Sequence, residues 1–342
     1  MLQGKQVLVT GASGFIASHC IIQLLDNGYR VRGTLRDLAR ADGMRAIIES
    51  HAQTNAGLDF VQADLLDDAG WTPAAEGCEY VLHVASPVPV DAPKDPNALI
   101  EPARDGTLRV LRAARDAGVK RVVVTSSTAA VSYGEGGRAH ADFTEDDWTD
   151  PDGPGVSAYA RSKILAERAA WNFVNTEGGG LELAVINPSL VLGPVLEADY
   201  GSSAELVRRL LKGKFPGCPR LGWPVVDVRD VAALHIAAME APAANGHRFL
   251  CADAFMWLRD IALVLHEHVP DYRTNIPTRP LPDLLVRAIG LFDHRVGSVV
   301  SELGSRRAVS SEKARKMLGW QPRTGEEAII ATADSLIAHG IV

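Results

Sequence analysis

Val7-Leu8-Val9-Thr10-Gly11-Ala12-Ser13-Gly14-Phe15-Ile16-Ala17 is the stretch that decides the fold of this 342-residue chain. The apolar run reads as a strand, and the residues from about Phe15 to Asp26 read as an amphipathic helix. Between them lies a turn with the spacing Gly-x-x-Gly-x-x-Ala. Small residues let backbone N–H groups approach a pyrophosphate, and the start of the helix adds its partial positive charge. The spacing differs from the Gly-x-Gly-x-x-Gly fingerprint. A glycine-rich turn is a weak signal by itself, but between a strand and a helix at the head of a βαβ unit it is a strong one. Gly11, Ser13, Gly14, Phe15 and Ile16 are therefore candidate phosphate contacts.

The alternation continues outward. Strands are expected at 29–35, 58–62, 80–84, 119–125 and 183–186, with helices at 40–53, 97–117 and 157–175. Strand–helix alternation implies parallel pairing through right-handed crossovers. The expected fold is α/β: a Rossmann-type doubly wound parallel sheet with a smaller C-terminal substrate-binding lobe. Residues 1–187 would form the nucleotide domain, with 226–250 returning to it. Residues 188–225 and 251–342, punctuated by prolines and short helices, would form most of the lobe. In that lobe Tyr200, Phe215, Trp223 and Phe255 are candidate apolar walls, each with core packing as the alternative. The loop Asp152-Gly153-Pro154-Gly155, with Phe143 and Trp148, either borders the pocket or is plain surface.

Composition narrows the class. Hydrophobic residues make up 46% and charged residues 23%, as in ordinary soluble domains. The net charge of −7 lacks the basic excess expected for nucleic acid or anionic membrane. No stretch reaches the roughly 18 apolar residues of a membrane span, and no leader is visible. Cys20, Cys78, Cys218 and Cys251 are scattered and show no metal-ligand spacing, so no metal site is expected. Buried thiols in a cytoplasmic protein are the expectation.

Residues at the carboxyl ends of strands should meet the ligand. The second strand ends Gly33-Thr34-Leu35-Arg36-Asp37, with Arg40 one turn on. Guanidinium forks suit the oxygens of a 2′-phosphate, so Arg36 and Arg40 favour NADP(H) over NAD, while Asp37 could bind a ribose hydroxyl instead. Asp64 and Leu65 follow the third strand, where a carboxylate could take an adenine amino group. Val84, Ala85 and Ser86 follow the fourth, where the dinucleotide would cross. Tyr159 and Lys163 stand at i and i+4 on one helix face. An ammonium beside a phenol lowers a pKa that starts near about 10 and brings it toward acid–base use. Thr125-Ser126-Ser127-Thr128 closes the fifth strand and presents hydroxyls to the same crevice.

These motifs, at 10–16, 83–87, 125–127 and Tyr159-x-x-x-Lys163, resemble the extended short-chain dehydrogenase/reductases. The similarity is to the branch with dihydroflavonol reductases, cinnamoyl-CoA reductases and microbial aldehyde or carbonyl reductases. The segments 187–194, 227–232 and 318–323 fit it too, so the resemblance spans almost the whole chain. It implies that Ser127 polarises a carbonyl, with Ser126 as the fallback, and that Tyr159 donates a proton. Lys163 would hold the ribose and lower the Tyr159 pKa, and Pro188 would abut the nicotinamide. The activity implied is reversible NADPH-dependent reduction of a small-molecule carbonyl to an alcohol, by a monomer or homodimer. Alternatives are an NAD-dependent nucleotide-sugar epimerase or dehydratase, a hydroxysteroid dehydrogenase, and a non-catalytic NADP-binding sensor. One departure stands out: plant dihydroflavonol reductases carry an Asn five residues after the catalytic Ser, and here that position is Ser132.

Overall fold

The first strand, Gln6–Val9 (β1), has three of its four residues buried, as befits a strand covered on both faces. A computed structural model describes residues 4–54, 57–87, 95–134, 142–198, 201–297 and 299–342. In chain order, β1 is followed by Phe15–Asp26 (α1), Arg30–Leu35 (β2), Ala41–His51 (α2), Leu58–Gln62 (β3), Trp71–Ala75 (α3) and Tyr80–His83 (β4). Then come Asn97–Asp116 (α4), Arg121–Thr125 (β5), Asp142–Phe143 (β6), Ala158–Glu177 (α5) and Glu182–Pro188 (β7). Leu190–Leu192 (β8), Ser202–Leu211 (α6), Gly222–Asp227 (β9), Val228–Glu240 (α7) and His247–Cys251 (β10) lead into the last third. That third contains Phe255–Trp257 (β11), Leu258–His268 (α8), Asp283–Gly290 (α9), His294–Gly297 (α10), Ala308–Val309 (β12), Glu312–Leu318 (α11) and Gly325–Ala338 (α12).

The main sheet has seven strands in the order β10-β7-β5-β4-β1-β2-β3, all paired in parallel. Chain order reverses between β1 and β4, which is the switch point where such sheets bind ligands. One face packs α1, α2 and α7 through residues such as Ile21, Leu24, Ile48, Val231 and Leu234. The other packs α3, α4 and α5 through Trp71, Leu111, Ala170 and Phe173. A separate core of α6, α8 and α12 lies over a three-stranded sheet, β11-β9-β8.

Two local readings shift. The helix expected at 40–53 begins as a 3-10 turn over Leu38–Arg40, because the Asp37 side chain accepts from the Ala39 N–H and caps that turn. The short helix α3 was not expected, since five residues are too few to show a period.

The motifs at 227–232 and 318–323 fasten the chain end to the main sheet's helix layer. Asp230 on α7 accepts from the Arg323 N–H at 2.7 Å and from its guanidinium, and the Trp320 indole donates to the Asp230 carbonyl at 2.9 Å. Asp227 caps α7 and pairs with Arg229 at 2.6 Å. All four cysteines are buried and free.

Candidate active site

Gly11 adopts φ +68°, a conformation that favours glycine, and a Cβ there would come within 3.0 Å of the Ala85 Cβ. The loops after β1 and β4 therefore touch. Thr10 welds them: the Ala85 N–H donates to Thr10 Oγ1 at 2.9 Å. The Gly11 N–H is held by Thr34 Oγ1 at 2.9 Å. Gly14 caps α1 without any side-chain hydrogen bond. Helix starts leave their first N–H groups without intrahelical partners, and among the described residues no side chain caps these. A helix start behind a turn of small residues fits a dinucleotide pyrophosphate.

The ribose end is more mixed. Leu35 is buried, whereas Arg36 and Arg40 are exposed. Arg40 lies 3.9 Å from Glu197. Asp37 accepts from the Ala39 N–H through Oδ1 at 2.9 Å, so one of its carboxylate oxygens holds the cap. Asp64 accepts from the Leu66 N–H at 2.9 Å, so one carboxylate oxygen holds a local turn. The Leu65 side chain packs against Gly106 of α4 and stays partly exposed. Val84 packs partly on the main core, while Ser86 lines a cavity about one water across.

Ser126, Lys163, His83, Thr107 and Glu167 line the same cavity. Ser126 Oγ is buried without a partner. Ser127 Oγ accepts from the Ala129 N–H at 3.1 Å and reaches the carbonyl of buried Pro188 at 3.5 Å. Burial raises the Tyr159 phenol above its ordinary value, and the adjacent Ser127 side chain pulls it down. The expectation that Lys163 lowers Tyr159 is thus corrected for the protein by itself. The Lys163 Nζ sits 5.8 Å from the Tyr159 ring centroid, and its own hold on a proton is weakened by burial, to about 8. The structure brings Ser127, Tyr159 and Lys163 together at the carboxyl ends of β5 and β7, as the sequence predicted.

Beyond Ser127 a second cavity is lined by Thr128, Ser132, Trp223, Glu302, Ser305 and Arg307, among others. Ser132 donates to the Thr128 carbonyl at 3.1 Å, which leaves its oxygen as an acceptor. Arg307 lies over the Tyr133 ring at 4.5 Å and 3.9 Å from Glu302. Burial raises the Glu302 carboxyl, and Arg307 opposes that. Of the aromatic wall candidates, Trp223 lines this cavity. Phe215 packs on the lobe core under Arg209, and Phe255 makes an edge contact with Trp257 at 4.9 Å. Tyr200 lies outside the described residues. Phe143 is buried in a small cluster with Val131 and Leu250, and Trp148 lies under Arg248 at 3.8 Å, so neither borders the cavity. The loop 152–155 packs at Gly153 against Gly134.

Glu302 and Arg307 carried no local signal in the sequence. Glu167 did: it continues the four-residue spacing of Tyr159 and Lys163.

The profile of the NAD dependent epimerase/dehydratase family matches residues 7–252. Cinnamoyl-CoA reductase 1 of Petunia hybrida is 38% identical over 280 residues, covering 81% of this chain and 81% of its own length. Dihydroflavonol 4-reductase of Hordeum vulgare is 33% identical over 286 residues, covering 80% of this chain and 77% of its own. The solved structure of yeast methylglyoxal/isovaleraldehyde reductase Gre2 complexed with NADPH superposes with a TM-score of 0.80 at 28% identity, over 98% of this chain and 100% of that one. Among the described residues no helix is long and apolar enough to cross a membrane. The match over most of the chain and its agreement with the cleft just described place the protein plainly: it belongs to the NAD dependent epimerase/dehydratase family, the extended short-chain dehydrogenase/reductases.

Proposed function

We propose that this chain is an NADP(H)-dependent reductase that converts aldehydes or ketones to alcohols, reversibly. The observation that carries the reading is the convergence of Ser127, Tyr159 and Lys163 beside the bare start of α1. When bound, the reduced nicotinamide supplies a hydride to the carbonyl carbon. Ser127 and Tyr159 then act on the carbonyl oxygen: both hydroxyls stabilise its developing charge, and Tyr159 delivers the proton. Lys163 would hold the ribose hydroxyls, and Arg36 and Arg40 would take a 2′-phosphate.

NADP(H) is favoured over NAD(H) because Leu35 and Arg36 occupy the strand end, and guanidinium groups suit a 2′-phosphate. The Gre2 structure, complexed with NADPH, supports the same choice. The substrate would enter between residues 1–187 with 226–250 on one side and the lobe of 188–225 and 251–342 on the other. Its cavity carries one negative and one positive side chain, Glu302 and Arg307, and so suits a neutral polar compound.

The test is NADPH and NADH consumption over aldehydes, α-dicarbonyls, aryl ketones and flavanonols. At least one class should turn over with NADPH, and Tyr159→Phe should lower that rate by about 100-fold or more. Full activity in Tyr159→Phe would overturn the mechanism.

A further inference from the structure

Tyr159, Lys163 and Glu167 recur every four residues along α5, so the three stand in one row. Glu167 is 1% exposed and Lys163 5%. A carboxylate so deeply buried stays charged only when paired and hydrogen-bonded. The partners of Glu167 come from two strands. Arg248 on β10 approaches Oε1 through Nε at 2.8 Å, and its Nη2 donates to Oε2 at 3.2 Å. Asn187 on β7 donates from Nδ2 to Oε2 at 2.8 Å, and the same nitrogen donates to the Ser127 carbonyl at 3.2 Å. Both neighbours of that nitrogen are acceptors, which fixes the orientation of the amide. Arg248 is backed by the Trp148 ring at 3.8 Å and donates to the Asp147 carbonyl at 3.1 Å. This chain of contacts fastens the turn bearing Ser127 to the helix bearing Tyr159 and Lys163.

The charged and titratable groups around Lys163 are few. Tyr159 and Glu167 share its helix, and His83 on β4 faces it across the small cavity. Arg248 lies beyond Glu167, and His235 on α7 lies beyond Thr125. His83 is neutral. Its Nε2 donates to Thr107 Oγ1 at 3.1 Å, because that hydroxyl is itself donating to the Ala103 carbonyl, and Thr10 donates to Nδ1 at 2.9 Å. Burial holds His83 down to about 3 and His235 to about 4. Among the described residues, Glu167 is the group that opposes the burial of the Lys163 ammonium.

We propose that Glu167 is a positioning residue of this site: through Asn187 it holds the Ser127 turn in register, and its charge sustains the Lys163 ammonium, with Arg248 as its buried ion-pair partner. The inference rests on the reductase reading for the tasks of Ser127 and Lys163. Removing the negative charge lets burial act on Lys163 unopposed, so its proton is lost at lower pH.

Glu167→Gln leaves Arg248 buried and unpaired, which threatens folding. The double variant Glu167→Gln/Arg248→Met removes both charges and keeps an acceptor for Asn187. NADPH affinity, followed by nicotinamide fluorescence from pH 6 to 10, should weaken in the wild-type protein as Lys163 deprotonates, above about pH 8. In the folded double variant the weakening should begin about one pH unit lower. Glu167→Asp, which keeps the charge, should restore the wild-type profile. The alkaline limb of kcat should move with the affinity while the KM for the carbonyl stays near its wild-type value. An unchanged pH profile in the folded double variant would overturn the proposal, whatever happens to stability. The displaced binding profile with no carbonyl turnover would uphold the positioning role and sink the reductase reading instead.

Discussion

At the nucleotide end of the cleft the chain presents backbone, and at the far end it presents side chains. Gly11 and Gly14 keep the turn after β1 free of bulk, and α1 opens with no side chain across its start. Past Ser127, by contrast, the cavity is walled by Ser132, Trp223, Glu302 and Arg307, drawn from segments far apart in the chain. A backbone cradle tolerates almost no substitution at its glycines: a Cβ at Gly11 meets the Ala85 Cβ at 3.0 Å, and one at Gly14 meets the Gly11 carbonyl at 3.2 Å. A side-chain wall can change its chemistry one residue at a time while the cradle stays fixed. The relatives fit that division: at 28–38% identity to this chain they carry names for different reductase activities.

The comparison can be broken most severely at Gly11. Gly11→Val meets both a positive φ and the Ala85 contact at 3.0 Å, so NADPH affinity should fall by about 100-fold, read by fluorescence titration. A variant that binds as well as the wild type would show that the turn is not the cradle. Arg36→Ala/Arg40→Ala sharpens the contrast, because it removes exposed side chains from the end otherwise built of backbone. NADPH affinity should drop by roughly 30-fold with NADH little affected, since two charge-assisted contacts to phosphate are lost. At the far end, Glu302→Leu should alter the kcat/KM ratio between hydroxylated and plain carbonyl substrates by about tenfold and leave NADPH affinity alone. A change in NADPH affinity there would mean that the two ends are not independent.

What could be read from the sequence follows the same line. The turn at 10–17, the helix Phe15–Asp26 and the pair Tyr159 and Lys163 were legible because each is a local pattern on one element. The spacing continues to Glu167, yet nothing local marks its task, which depends on Arg248, 81 residues away in the chain. Glu302 and Arg307 meet Ser132 only through the packing of the last third of the chain. Trp148 stayed open between pocket border and plain surface because the sequence could not show the guanidinium stacked on it. Leu65 follows a strand end as a ligand residue should, but the bare Cα of Gly106 draws its side chain toward α4.

The order of the strands has a consequence for synthesis. The edge strand His247–Cys251 pairs with Glu182–Pro188, yet some sixty residues separate them in translation. The latch between Asp230 and the Trp320–Arg323 segment closes later still, because Trp320 is made 90 residues after Asp230. A nascent chain therefore carries an exposed parallel edge until residue 251 has been made, and an unlatched α7 until residues 320–323 follow. Cofactor added during translation would meet an assembled turn at residues 10–17 long before the substrate cavity exists. The two halves of this cleft thus mature in sequence, with recognition of the nucleotide first and of the substrate last.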